Sequence, residues 1–247
     1  MLDFLPVGTS EFHYEEAQLG SGTQVMVAIP KGEIKFGLVL VPDVFGLRPL
    51  ITETISQIAS NSIAVIAVEP FSHMSENPTL LSRKEKLSRV KDLDDQMQCA
   101  DILAAGKILR SRHGCEKVSL IGFCIGGMYA FKSAGAGEFD AVVACYGMIT
   151  MPNDWRGPGQ KDALEYLELD SCSKVLAIVG EKDKGFAKPD DIESLQRVLS
   201  NPHHEKIGSR VDIYSEGEHA FIHDPERPEH RAQDAEIAWG KAFDFMF

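Results

Sequence analysis

The sequence has no excess of positive charge, no long apolar run and no paired-cysteine motif, and each absence removes a class of protein. Lysine and arginine number 25 against 37 aspartates and glutamates, giving a formal net charge of -12. Nucleic acid is therefore not expected as a partner, because phosphate contacts need a basic surface. No apolar run approaches the roughly 20 residues of a membrane-spanning helix, so no membrane partner is expected either. The five cysteines (Cys99, Cys115, Cys124, Cys145 and Cys172) are odd in number and none form C-x-x-C. That argues against a disulfide framework and against structural zinc. Residues 1–10 carry no lysine or arginine, unlike the basic start of a secretory signal. The expectation is a cytoplasmic protein with reduced thiols. Internal repeats and low-complexity segments are also missing.

The chain has 247 residues, of which 44% are hydrophobic and 25% charged. Residues 1–247 are expected to form a single domain with its own sizeable core. Short runs rich in Val, Ile and Leu occupy 25–29, 36–41, 63–68, 118–121, 141–145, 175–179 and 206–214. Most are apolar at consecutive positions, as in strands covered on both faces. Helices are expected near 49–60, 90–110, 126–134, 189–199 and 228–247, the longest with Leu93, Met97, Ala100, Ala104 and Ile108 at helical spacing. Alternation of this kind predicts an α/β fold: a doubly wound, mainly parallel sheet of about eight strands with helices on both faces. The glycine-rich link at 20–23 joins strands near 11–19 and 24–29 as an antiparallel N-terminal hairpin. Loops at 69–80 and 148–160, and the charged segment 83–91, are expected to rim a site at the carboxyl ends of the strands.

The most informative stretch is Leu120-Ile121-Gly122-Phe123-Cys124-Ile125-Gly126-Gly127. It reads as a buried strand, a cysteine flanked by glycines, then a helix start, which is the G-x-nucleophile-x-G pattern of a nucleophile elbow. The tight turn needs small flanks, and it pushes the apex residue into an open site. A cysteine can also simply pack in a core, and a strand–glycine turn–helix unit can bind phosphate. This segment is not G-x-G-x-x-G, and no G-x-x-x-x-G-K-[ST] occurs, so the nucleotide reading loses its support.

A thiol needs a base, and the base needs an orienting carboxylate. In a doubly wound hydrolase these follow the nucleophile in the order acid, then histidine, each after a strand. Asp183, in Gly180-Glu181-Lys182-Asp183, is the expected acid, with Glu181 second; both could instead cap a turn. His219, in Gly217-Glu218-His219-Ala220-Phe221, is the expected base. Among the other histidines, His203 and His204 are expected in a surface turn, His113 at a helix end, His13 in the hairpin and His230 on the final helix. The i, i+4 spacing of His219 and His223 next to Asp224 admits a zinc reading. Pro225 and Pro228 disfavour the helix it requires, and neither metal nor cofactor is expected. Oxyanion donors are expected at the backbone N–H groups of Ile125 and, in Pro42-Asp43-Val44-Phe45-Gly46, of Val44.

These segments, with Val41-Pro42-Asp43-Val44-Phe45-Gly46, resemble the dienelactone hydrolase family of α/β-hydrolases from about Phe12 to the end. The resemblance implies Cys124 as nucleophile, Asp183 as acid and His219 as base. In the family's dienelactone-cleaving members the loop after the third strand carries a glutamate that helps to switch the thiol on when substrate binds. Asp43 stands there, one methylene shorter. Those members also hold the substrate's carboxylate with arginines, one of them four residues after the catalytic histidine, where this chain has His223; the other lies in the region of the Arg83 segment. Asp43, His223 and Tyr146 form the expected substrate and activation set. The implied function is cleavage of an ester or lactone bond in a small molecule through a Cys-His-Asp triad and a thioester acyl-enzyme. Acyl transfer by the same residues, or ligand binding without turnover on the same scaffold, are the alternatives, and the state is expected to be monomeric or a small homo-oligomer.

Overall fold

The computed structural model describes residues 2–74 and 81–247. Eight strands form one sheet: β1 (Phe12–Gln18), β2 (Gln24–Pro30), β3 (Phe36–Val41), β4 (Ile63–Val68), β5 (Lys117–Phe123), β6 (Ala141–Cys145), β7 (Val175–Gly180) and β8 (Arg210–Tyr214). Their order is β1-β2-β4-β3-β5-β6-β7-β8. The first two strands pair antiparallel, as the glycine-rich link requires, and β2 pairs antiparallel with β4; every later pairing is parallel. Each residue of β4, β6 and β7 is buried, so helices cover both faces, and the runs are continuously apolar for that reason.

The helices are α1 (Pro49–Ala59), α2 (Arg83–Ser88), α3 (Asp95–His113), α4 (Ile125–Ala134), α5 (Ala163–Leu167), α6 (Pro189–Leu199), α7 (Pro202–Ile207) and α8 (Ala232–Met246). Helices α3, α4 and α5 pack on one another, while α1 meets β2 and β4, and α8 meets β6 and β7. No helix among the described residues is long and apolar enough to cross a membrane.

Four local expectations are corrected. The last strand begins at Arg210 rather than 206, because residues 202–207 make a short helix. The Asn201 side chain accepts the His204 N–H at its start, and Gly208, at φ 80°, ends it. His204 is accordingly buried, within hydrogen-bonding distance of the Leu167 carbonyl (2.8 Å), and does not lie in a surface turn. The final helix begins at Ala232, leaving His230 outside it; residues 224–230 turn through Arg227 N–H to Asp224 O and His230 N–H to Arg227 O, as Pro225 and Pro228 favour. The long helix starts after Leu93, where the Asp94 side chain accepts the Met97 N–H.

The inward stripe of α3 also differs from the apolar set read from the sequence. Met97 is exposed, and the buried positions include Asp95, Gln98 and Asp101. Each is partnered: Asp95 with Lys132, Gln98 with the Pro70 carbonyl, and Asp101 with Thr23 and His73. A polar stripe with every group satisfied can face inward, and hydrophobicity alone does not reveal it.

Candidate active site

The parallel pairing brings the carboxyl ends of neighbouring strands level: Val41 of β3 pairs with Gly122 of β5, and Phe123 with Cys145 of β6. Loops leaving β3, β5, β6, β7 and β8 therefore emerge at one edge of the sheet, and the site is assembled there.

Cys124 lies between the end of β5 and the first residue of α4, at φ 57° and ψ -115°. A non-glycine residue in such a conformation stores about 1–3 kcal/mol that the surroundings must hold. Those surroundings are backbone: the Cys124 N–H donates to the Cys145 carbonyl (3.1 Å), and its carbonyl accepts from Met128 N–H (3.0 Å). A Cβ on Gly126 would stand 2.1 Å from the Val41 oxygen, so the helix start can approach β3 only as glycine. Tyr146 (φ 39°), after β6, and Ala220 (φ 68°), beside His219, are strained in the same sense. Among the described residues, three of the four non-glycine residues with positive φ thus cluster at this edge of the sheet.

Asp183 follows β7 and His219 follows β8. Asp183 Oδ2 is 2.7 Å from His219 Nδ1, and His219 Nε2 is 3.1 Å from Cys124 Sγ. The other Asp183 oxygen accepts the N–H groups of Gly185 and Phe186, both at 3.2 Å. Glu181 is exposed, so Asp183 is the carboxylate that reaches the imidazole. Burial disfavours the His219 cation, but the charges on Cys124 and Asp183 and the hydrogen bonds to both outweigh it, and the imidazole is raised to about 10.

The set expected for substrate and activation is assembled as well, facing inward. His223 Nε2 lies 2.9 Å from Asp43 Oδ2, and His223 Nδ1 lies 2.5 Å from the Tyr146 hydroxyl. Arg48, which no sequence motif marks, donates to Asp43 (3.2 Å) and to Asp224 (3.1 Å). Burial opposes ionisation of Asp43. The hydrogen bond and charge of His223, the Arg48 guanidinium and the Phe45 N–H more than compensate, holding the carboxyl well below the usual range. His219 and His223 therefore belong to separate hydrogen-bonded chains. Among the described residues no group of three His, Cys, Asp or Glu side chains is placed to hold a metal ion.

The backbone N–H groups of Val44 and Ile125 belong to buried residues and have no protein acceptor among the described hydrogen bonds. Buried N–H groups are nearly always paired, and these two, in the loop after β3 and at the start of α4, stand out for that reason. A cleft of about 580 Å³ opens beside His219, lined by Phe186, Lys184 and Glu218 among others. The Phe186 ring packs on His219 at 4.5 Å, and Trp155, from the loop at 148–160, packs on Phe186 at 5.4 Å. That loop borders the site as expected. The segment at 83–91 borders it through Lys86, which donates to the Phe45 carbonyl at 2.9 Å. Residues 75–80 of the other expected rim loop lie outside the described residues. Phe186 and Arg48 are the members of the site that sequence reading did not name; neither lies in a recognisable motif, and only the fold brings them there.

An eight-stranded sheet with this order, a reversed N-terminal pair and a strand–turn–helix elbow at its centre defines an α/β-hydrolase. More narrowly, the chain belongs to the dienelactone hydrolase family, whose family model matches residues 23–247. It is therefore an ester or lactone hydrolase. It is 24% identical over 213 residues to a carboxymethylenebutenolidase of Rhodococcus opacus, covering 85% of this chain and 79% of that protein. A dienelactone hydrolase-like promiscuous phosphotriesterase from metagenomic libraries superposes with a TM-score of 0.72 at 18% identity, covering 97% of this chain and 98% of the other. An esterase of Pyrococcus furiosus superposes with a TM-score of 0.63 at 12% identity, covering 98% and 96%. At these identities the superpositions speak for the fold.

Proposed function

We propose that this chain cleaves an ester or lactone bond of a small molecule by covalent catalysis at Cys124. The single observation that carries the reading is the hydrogen-bonded line from Asp183 through His219 to Cys124, at 2.7 and 3.1 Å. The sulfur attacks the carbonyl carbon, and the negative oxygen that results is received by the N–H groups of Val44 and Ile125. The C–O bond to the leaving oxygen then breaks, and the imidazolium of His219 donates its proton to that oxygen. In a lactone the alcohol so formed stays attached to the acyl group. His219, now neutral, takes a proton from water, the hydroxide attacks the thioester, the C–S bond breaks to restore the thiolate beside the imidazolium, and the carboxylic acid leaves and gives its proton to solvent. Asp183, fixed by two backbone N–H groups, keeps the imidazole turned and stabilises its cationic state. The name of the Rhodococcus opacus relative, carboxymethylenebutenolidase, favours a lactone among the candidate substrates.

Replacing the sulfur tests the reading. Cys124→Ala should retain the fold and lose turnover of 4-nitrophenyl acetate and of a panel of five-membered lactones by at least about 10³-fold. Wild-type rates in that variant would exclude Cys124 as the nucleophile.

A further inference from the structure

The chemistry just proposed leaves three buried polar side chains at the site unused: Asp43, His223 and Tyr146. We propose that they form a second hydrogen-bonded relay, parallel to the first, that fixes the His219 imidazole in place, so that His223 and Tyr146 are positioning residues for the base. This rests on the reading of His219 as the base of Cys124.

The relay is continuous. Asp43 is ionised, with one oxygen on the Phe45 N–H and the other shared by Arg48 and His223. A carboxylate can only accept, so His223 Nε2 carries a proton and donates it to Asp43. On the other side of the ring, His223 Nδ1 lies 2.5 Å from the Tyr146 hydroxyl, and this bond ties the imidazole to Tyr146. Burial holds this hydroxyl strongly in its protonated form. The same order of carboxylate, imidazole and a thiol or hydroxyl group is thus written twice at one sheet edge: Asp183–His219–Cys124 and Asp43–His223–Tyr146.

The two lines touch through their rings. Tyr146 packs edgewise on His219 at 5.3 Å and 68°, and Phe123, the residue before the nucleophile, stacks on His223 at 5.0 Å and 17°. Tyr146 is fully buried and held at φ 39°, a conformation that persists only where neighbours over-determine it. Its hydroxyl bond to His223 is the polar end of that restraint. Asp43, for its part, has its hydrogen bonds taken up by His223, Arg48 and Phe45, and the hydrogen-bond partner of the Cys124 sulfur is His219. Asp43 therefore acts on the nucleophile at a distance, by fixing His223, which fixes Tyr146, which fixes the ring of His219.

Four variants test this: Tyr146→Phe, His223→Leu, His223→Gln and the double Tyr146→Phe/His223→Leu. Two rates are read on each: turnover of 4-nitrophenyl acetate, resolved into kcat and KM, and alkylation of Cys124 by iodoacetamide at pH 6, assigned by peptide mapping. A displaced base costs about 10- to 100-fold for a shift on the order of 1 Å. Tyr146→Phe and His223→Leu should each lower kcat and the alkylation rate about tenfold with KM little changed, and the double variant should be no worse than the singles. Glutamine keeps one donor and one acceptor, so His223→Gln should recover most of the loss. A merely structural role would lower the melting temperature without this pattern. Folded Tyr146→Phe and His223→Leu proteins that react within twofold of the parent by both measures would overturn the relay, as would additive losses in the double variant. Should His223→Leu fail to fold, Tyr146→Phe, which removes one oxygen and no ring, decides alone. The alkylation measurement also separates this inference from the function reading: if Cys124→Ala kept its turnover, the nucleophile would be wrong, yet alkylation would still report whether the relay holds His219 against the sulfur.

Discussion

Gly122 and Gly126 meet across the turn that presents Cys124: a Cβ on Gly122 would stand 2.0 Å from the Gly126 carbonyl oxygen. Neither partner can yield, because the oxygen belongs to helical backbone and Gly126 is itself packed so closely that a Cβ on it would stand 2.1 and 2.5 Å from the Val41 and Pro42 oxygens. Gly122→Ala should therefore cost at least about 3 kcal/mol, the upper end of overpacking losses. Urea denaturation measures it. A loss under about 1 kcal/mol would mean that the turn can open, and that the close approach does not hold the cysteine in its strained conformation.

The reactivity of Cys124 should depend on His219 in a pH-resolved way. The imidazole, raised to about 10, stays cationic beside the sulfur across the neutral range. Iodoacetamide should thus alkylate Cys124 at pH 6 in the parent protein. In His219→Ala the rate at pH 6 should fall at least tenfold and climb toward pH 9, because an isolated thiol ionises at about 8.5. Equal rates at pH 6 in the two proteins would separate the thiol from the histidine.

Much of this site was legible without coordinates because its members sit in short motifs fixed to strand ends. Cys124 and Asp183 each follow a buried apolar run and His219 follows the edge strand β8, and parallel pairing then has no alternative but to bring those ends together. The polar contacts were not legible. Nothing about Arg48 in the sequence says that it pairs with Asp43 and, 176 positions away, with Asp224, since such partners depend on tertiary placement alone. The inward stripe of α3 escaped for a related reason: Asp95, Gln98 and Asp101 are buried by hydrogen bonding, and apolar periodicity is blind to that. The short helix α7 was hidden because six residues carry too little periodicity to separate a helix from the start of the strand after it.

Asp43 should give acid stability a recognisable signature. Its folded-state value lies well below the ordinary 3.8. A depressed carboxyl contributes stability in full above its unfolded value and loses it as pH falls through the folded one. Asp43→Asn should therefore melt at least about 3 °C below the parent at pH 7, reflecting the loss of a charged acceptor for His223 and Arg48. The gap should be unchanged at pH 5 and narrow only below about pH 4. A gap that closed between pH 7 and pH 5 would show that another group controls it.

Behind the elbow, Lys132 of α4 donates to both oxygens of Asp95, at 2.8 and 2.9 Å, with the side chains 0% and 4% exposed. Burial lowers the pKa of the ammonium, and the Asp95 carboxylate resists that by hydrogen bond and charge. Asp95 also accepts the Lys161 N–H (3.0 Å) and the Tyr166 hydroxyl (3.2 Å). The ion pair thereby ties α3, the helix that follows Cys124 and the end of the loop that carries Trp155 into one unit. Removing a single partner strands a buried charge, so Asp95→Leu should cost about 3–5 kcal/mol. Removing both in Asp95→Leu/Lys132→Met should cost less than the single change, because no unpaired ammonium remains to be desolvated. Denaturation of the two variants, with Lys132→Met as the third corner of the cycle, resolves the coupling. Additive losses would mean that water reaches Lys132 once Asp95 is gone, and that the pair does not bind the helix to the loop.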